Sequence, residues 1–131
     1  MRPGSEANKV IPELLSQAIL AHKDGRLNEA EKLYRDILRT DPKHPDANHN
    51  LGLIAVAVGE YLAALPHLET ALWRNKKIPQ FWLSYMDALI KSGNIFKARN
   101  LSLEALSSGI KSDKLHSLIK KLNPSKKLDF F

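Results

Sequence analysis

The stretch Asn50-Leu51-Gly52-Leu53-Ile54-Ala55-Val56-Ala57-Val58-Gly59-Glu60-Tyr61-Leu62-Ala63-Ala64 decides the fold. One glycine, Gly59, separates two helical patterns, and the marker residues around it recur in both directions along the chain. Gly25 lies 34 residues before Gly59 and Gly93 lies 34 after it. Ala64 is flanked in the same way by Ala30 and Ala98, Tyr61 by Leu27 and Ile95, Ala71 by Ile37 and Ala105, and Leu72 by Leu38 and Leu106. Pro45 and Pro79 share this register, with Ile11 in the same column. Five full columns at one period are the signature of stacked supersecondary units.

Each column has a physical reading. The glycines fall where a helix must end and the chain turn sharply, a place that needs positive φ. The alanines come five residues later, early in the second helix, where a small side chain lets two helices approach closely. Leu33, Ile37 and Leu38, then Leu68, Ala71 and Leu72, then Leu101, Ala105 and Leu106, repeat an apolar face at helical spacing. Asp41-Pro42 closes the first unit. Pro45 and Pro79 suit the first turn of the next helix, where the missing N–H is not needed.

These residues resemble the tetratricopeptide repeat over residues 11–110, most clearly in Asn50-Leu51-Gly52 with Gly59-Glu60-Tyr61-Leu62-Ala63-Ala64, and in Gly25 to Tyr34 with the Asp41-Pro42 ending. The resemblance implies an all-α solenoid of three helical hairpins. Helices are expected at about 10–23, 28–40, 45–58, 61–74, 79–92 and 95–108, and the repeats at 10–44, 45–78 and 79–110. A seventh helix, expected over 111–122, carries Leu115, Leu118, Ile119 and Leu122 on one face and Lys114, Lys120 and Lys121 on the other, which suits a terminal cap. Residues 1–9 read as a flexible lead-in and 123–131 as a linker and tail ending in Phe130-Phe131. Some positions depart from the family pattern. The aromatic usual early in the first helix is Leu14, Asn48 and Trp82 in turn. The small residue at the close crossing is Ala18, then Gly52, then Met86, so looser packing is expected in the third hairpin. Pro66 should weaken or bend the first turns of its helix.

The chain has 131 residues, no cysteine, and 44% hydrophobic residues, enough for one domain or a short array with a real core. Disulfide and thiolate chemistry are excluded. Net charge is +6; residues 1–110 carry 14 basic against 12 acidic residues, and 111–131 carry 6 against 2. A nearly neutral body with a basic tail argues against a nucleic-acid binder, which carries its basic stripe on the folded body. No apolar run reaches membrane-spanning length, and the first residues lack a secretory core, so a cytoplasmic setting is expected.

No catalytic constellation, cofactor loop or metal motif is present in the sequence. His44, Asp46 and His49 gather near one loop, but without a helical i, i+4 His pair or a thiolate they read as an inter-repeat loop. Asn100-Leu101-Ser102 matches a glycosylation sequon in mid-helix and is read as chance. Arg74-Asn75-Lys76-Lys77 reads as a solvated basic loop.

The resemblance further implies a concave groove lined by the first helix of each repeat. Carried over position by position, it comprises Leu15, Ile19, His22 and Lys23; Asp46, His49, Asn50, Leu53 and Val56; and Gln80, Leu83, Ser84, Asp87, Ile90 and Lys91. The cationic positions of members that clamp a C-terminal carboxylate are here Leu15, Gln80 and Ser84, with only Asn50 matching. The asparagine ladder of the O-linked N-acetylglucosamine transferase superhelix is here Ser16, Asn50 and Ser84. What remains is an apolar groove with polar ends, suited to an amphipathic helix. The expected function is a non-enzymatic protein-interaction scaffold. The run Ile78 to Lys91 also looks like bacterial repeat modules that precede glycosyltransferase, sulfotransferase or methyltransferase domains, which gives an alternative as an accessory module. A third reading is self-association through the solenoid ends.

Overall fold

The computed structural model describes residues 3–124, with side chains from Val10 onward. The described residues form seven helices: α1 Pro3–Lys23, α2 Leu27–Thr40, α3 Pro45–Ala57, α4 Tyr61–Arg74, α5 Pro79–Lys91, α6 Ile95–Ser107 and α7 Asp113–Leu122. They pair as three antiparallel hairpins stacked in sequence order, and α7 packs on α5 and α6 at the C-terminal end. No helix among the described residues is long and apolar enough to cross a membrane.

Glycine geometry closes every hairpin. Gly25, Gly59 and Gly93 have φ of 77°, 81° and 87°. At the second, the Gly59 N–H donates to Val56 O at 3.0 Å and the Glu60 N–H to Ala55 O at 2.8 Å, the paired bonds of a Schellman end. Gly109, with φ of 73°, ends α6 in the same way and turns the chain into the cap. Helices α3 and α5 begin on Pro45 and Pro79, as the register requires.

One boundary differs from expectation. Residues 3–9, read from the sequence as a flexible lead-in, belong to α1. Pro3 sits in the first turn, where proline is tolerated, and nothing breaks the helix before Pro12. Pro12 removes only the hydrogen bond to the Asn8 carbonyl, and α1 continues through it. Pro66 is likewise accommodated, exposed within an unbroken α4. The expected C-terminal tail, including Phe130 and Phe131, lies outside the described residues.

The core is divided into two clusters. The N-terminal one joins α1, α2 and the first two-thirds of α3 around Tyr34, Ile37 and Leu51. The C-terminal one runs from α4 through α7 around Trp82, Met86, Leu89 and Leu115. Ala30, Ala64 and Ala98 are fully buried, which confirms the small-residue column as a close crossing. At Gly52 a Cβ would overlap the buried Leu68 side chain. Met86 stands in the same column, fully buried, and α5 and α6 approach each other less closely than the helices of the other two hairpins.

Asn48 and Trp82, unlike in shape, do the same job one period apart. Trp82 Nε1 donates to Lys76 O at 2.7 Å, and Asn48 Nδ2 donates to Pro42 O at 3.0 Å. Each ties the loop that enters its repeat. At the end of the array Leu115, Ile119 and Leu122 are buried, and Arg99 Nε donates to Leu122 O at 2.8 Å. The outer side of α7, with His116, Lys120 and Lys121, is exposed. That charged outer face covers the apolar end as a cap should.

Ala64→Arg puts a long charged side chain into a fully buried crossing and should destabilise the protein by more than about 4 kcal/mol. Lys32→Ala, at an exposed position, should stay within about 0.5 kcal/mol. Urea unfolding of the two variants checks the assigned packing face; equal small shifts would show it to be wrong.

Candidate functional site

The sequence-derived groove residues separate into three groups. Ile19, His22, Lys23 and Asn50, with Tyr34 of α2, line an N-terminal hollow of about 310 Å³. Leu53, Val56, Gln80, Leu83 and Asp87 line a second hollow of about 340 Å³ with Ser84. Asn50 faces the first and Leu53 the second, so the two adjoin across one turn of α3. Asp46, exposed in the first turn of α3, and the remaining four, Leu15, His49, Ile90 and Lys91, line neither.

Each of those four has another task. Leu15 and Ile90 are half-buried and pack on the N- and C-terminal cores. Lys91 is exposed, with Nζ 3.1 Å from Asp87 Oδ2, and lines a different cleft beside the α3–α4 turn. His49 is only 7% exposed. Its Nε2 is hydrogen-bonded to Ser84 Oγ at 2.7 Å, and its ring lies 4.8 Å from that of Phe81. It joins repeat two to repeat three beneath the groove instead of lining it.

Sequence reasoning missed the third wall of the second hollow. Lys114 and Leu118 of α7, one turn apart, line it together with α3 and α5. The sequence pattern puts Leu118 on the apolar stripe of the cap, but it is half-exposed, while Leu115, Ile119 and Leu122 are buried. The signal was its place at the edge of that stripe, in register with Lys114. The cap is therefore part of the groove.

The Ser84–His49 pair has the atoms of a nucleophile and a base but not the surroundings of a catalytic site. Ser84 lies in mid-helix, where backbone N–H groups are committed to the helix and none is free to stabilise an oxyanion. Gln80 Nε2 donates to Ser84 Oγ at 3.1 Å, so the hydroxyl is held within a side-chain network. Burial pushes the His49 pKa down to about 4, against a small opposing pull from Asp46. His44 has a separate role: its Nδ1 accepts from the Ala47 N–H at 3.1 Å and caps α3. No cluster of three or more His, Asp or Glu able to hold a metal occurs among the described residues. The basic loop is engaged with its own fold, since Lys76 Nζ lies 4.0 Å from the Trp73 ring centroid and 4.0 Å from Glu104 Oε2.

With this geometry in view, the chain has the tetratricopeptide-repeat fold. No family model matches the sequence, and no curated protein matches it. Solved structures do. The first TPR of Spaghetti (RPAP3), bound to the HSP90 peptide SRMEEVD, aligns at TM-score 0.76 and 15% identity over 87% of this chain and 90% of that one. The Yersinia enterocolitica type III secretion chaperone SycD, in complex with a peptide of the translocator YopD, aligns at TM-score 0.75 and 18% identity over 94% and 96%. A Thermobaculum terrenum O-GlcNAc transferase aligns at TM-score 0.75 and 22% identity over 93% of this chain but only 23% of that one. At these identities the likeness establishes the fold.

The buried imidazole makes stability depend on pH. Unfolded, His49 takes up a proton near pH 6.5; folded, it does so only near pH 4. Between these values the unfolded state binds more protons, so stability should fall as pH drops from 6.5 to 4, by at most about 1.4 kcal/mol per unit. Burial lowers the His67 pKa as well, which adds a slope of the same sign. Thermal melts across this range should show a shallower loss for His49→Gln than for the parent; identical slopes would place His49 in solvent.

Proposed function

We propose that the chain is a non-enzymatic interaction module that holds a peptide or helix of another protein in the groove formed by α1, α3, α5 and α7. One observation carries this reading. The two hollows adjoin across α3 and expose part of Ile19, Leu53, Val56, Leu83 and Leu118 without burying any of them. Half-exposed aliphatic side chains along a concavity give up water readily to an incoming apolar face, at about 25 cal/mol per Å² covered. Two proteins of the same fold, RPAP3 and SycD, have been solved with peptides bound, which supports the reading. We place this module in the cytoplasm.

The accessory-module alternative draws support from the transferase that contains a similar fold within a longer chain. It assigns the same groove to the same work, with catalysis supplied elsewhere. Self-association through the ends has less support, because the C-terminal end presents the charged side of α7.

Selection of a random-peptide phage library on the full chain tests the groove. Selected peptides should shift NMR signals of α1, α3, α5 and α7, and Leu83→Arg should weaken them at least about tenfold, roughly 1.4 kcal/mol, while the variant keeps its helical circular dichroism and a cooperative melt. Peptides that map to α2, α4 and α6, or that bind Leu83→Arg unchanged, would overturn the reading.

A further inference from the structure

The walls of the second hollow carry an unbalanced charge. Its carboxylate, Asp87, is held at 3.1 Å by Lys91. Its ammonium, Lys114, is exposed and forms no ion pair among the described residues. Asp113, its neighbour in sequence, is not part of the hollow. The first hollow repeats the pattern: Lys23 lines it, exposed and without an ion pair, and no carboxylate lies in its walls. Each hollow thus combines aliphatic surface with one uncompensated positive charge.

We infer that the occupant is a segment of another protein that is apolar on one side and acidic along its flank, its carboxylates meeting Lys114 and Lys23. This rests on the groove reading above and adds the chemistry of the partner. Complementary charges at a groove rim contribute to orientation and encounter rate, and repel a segment of the wrong sign. The two ammonium groups lie at the outer helices, α1 and α7, while α3 and α5 between them present aliphatic side chains. Carboxylates are therefore wanted toward the ends of the segment and apolar side chains at its middle. Packed helices are spaced by about 8–10 Å, so α1 to α7, across α3 and α5, spans roughly 24–30 Å, the length of about 16–20 helical residues. The cations stand outside the positions at which related folds clamp a terminal carboxylate, so a free C-terminus is not required.

The test uses three amidated, fluorescein-labelled amphipathic peptides of about 20 residues, with one leucine face and with Glu, Gln or Lys on the flanks. Anisotropy titrations on the full chain at low salt should rank Glu above Gln above Lys, with about tenfold or more between the extremes and a gap that narrows as salt rises. Lys114→Glu, an exposed change, should shrink or reverse that ranking while the melting temperature holds. Leu83→Arg should weaken all three. Equal binding of the three peptides would refute the charge inference and leave the groove reading standing. Failure of all three to bind would refute both. Tighter binding of oligothymidylate than of the Glu peptide would make the ligand a nucleic acid and overturn the proposal. So would a dimer, seen by light scattering, that Leu83→Arg dissociates, since the groove would then hold a second copy.

Discussion

The left-handed glycine between the helices of a hairpin is the constraint on which the rest of the molecule depends. A φ near +80° is open to glycine and costly for residues with a Cβ. At Gly25, Gly59 and Gly93 it lets two hydrogen bonds close the helix end and sends the chain back at once. Because the reversal is short, the second helix must lie close against the first, and small side chains stand where the helices of the first two hairpins cross. The buried alanines and Gly52 follow from that. The reversals share one geometry, and residues of the first helices, Ile19, Asn50, Leu53 and Leu83 among them, line the two hollows.

Most of the fold was legible because it is written in that interval. The glycine, alanine and proline columns placed the ends of α2 to α6 to within about one residue. The start of α1 was not legible, since residues 3–9 carry no apolar periodicity and the helix there is set by the absence of a breaker. The equivalence of Asn48 and Trp82 was also hidden. A volume pattern records a mismatch, whereas the shared property is a donor aimed at a loop carbonyl.

The candidate site was legible in part. Leu53, Val56, Leu83 and Asp87 occupy one hollow because the repeat register places them on one side. His49 shares a column with Leu15 and Leu83, yet it is buried because its partner, Ser84, stands 35 residues away on the neighbouring helix. No spacing within one repeat reveals a hydrogen bond between two. Lys114 and Leu118 were missed as wall residues for a related reason: α7 lies outside the repeat columns, and its exposed edge takes its meaning only from the helices beside it.

The division of the hydrophobic core has a consequence for how the molecule opens. The hairpin α3–α4 is shared, with Leu51 and Ile54 in one cluster and Ala64 and Leu68 in the other. In a linear array each unit is held by its neighbours, so rupture proceeds from an end and stops where contacts are densest. Helices α1 and α2 can detach while Trp82, Met86 and Leu115 stay packed. Amide exchange should then be layered, faster in the elements at the two ends than in α3 and α4. The first hollow joins the amino-terminal layer to α3, and the second joins the carboxy-terminal layer to it. A ligand spanning both would couple the two layers, and part of its binding free energy would appear as slowed exchange at the amino-terminal end.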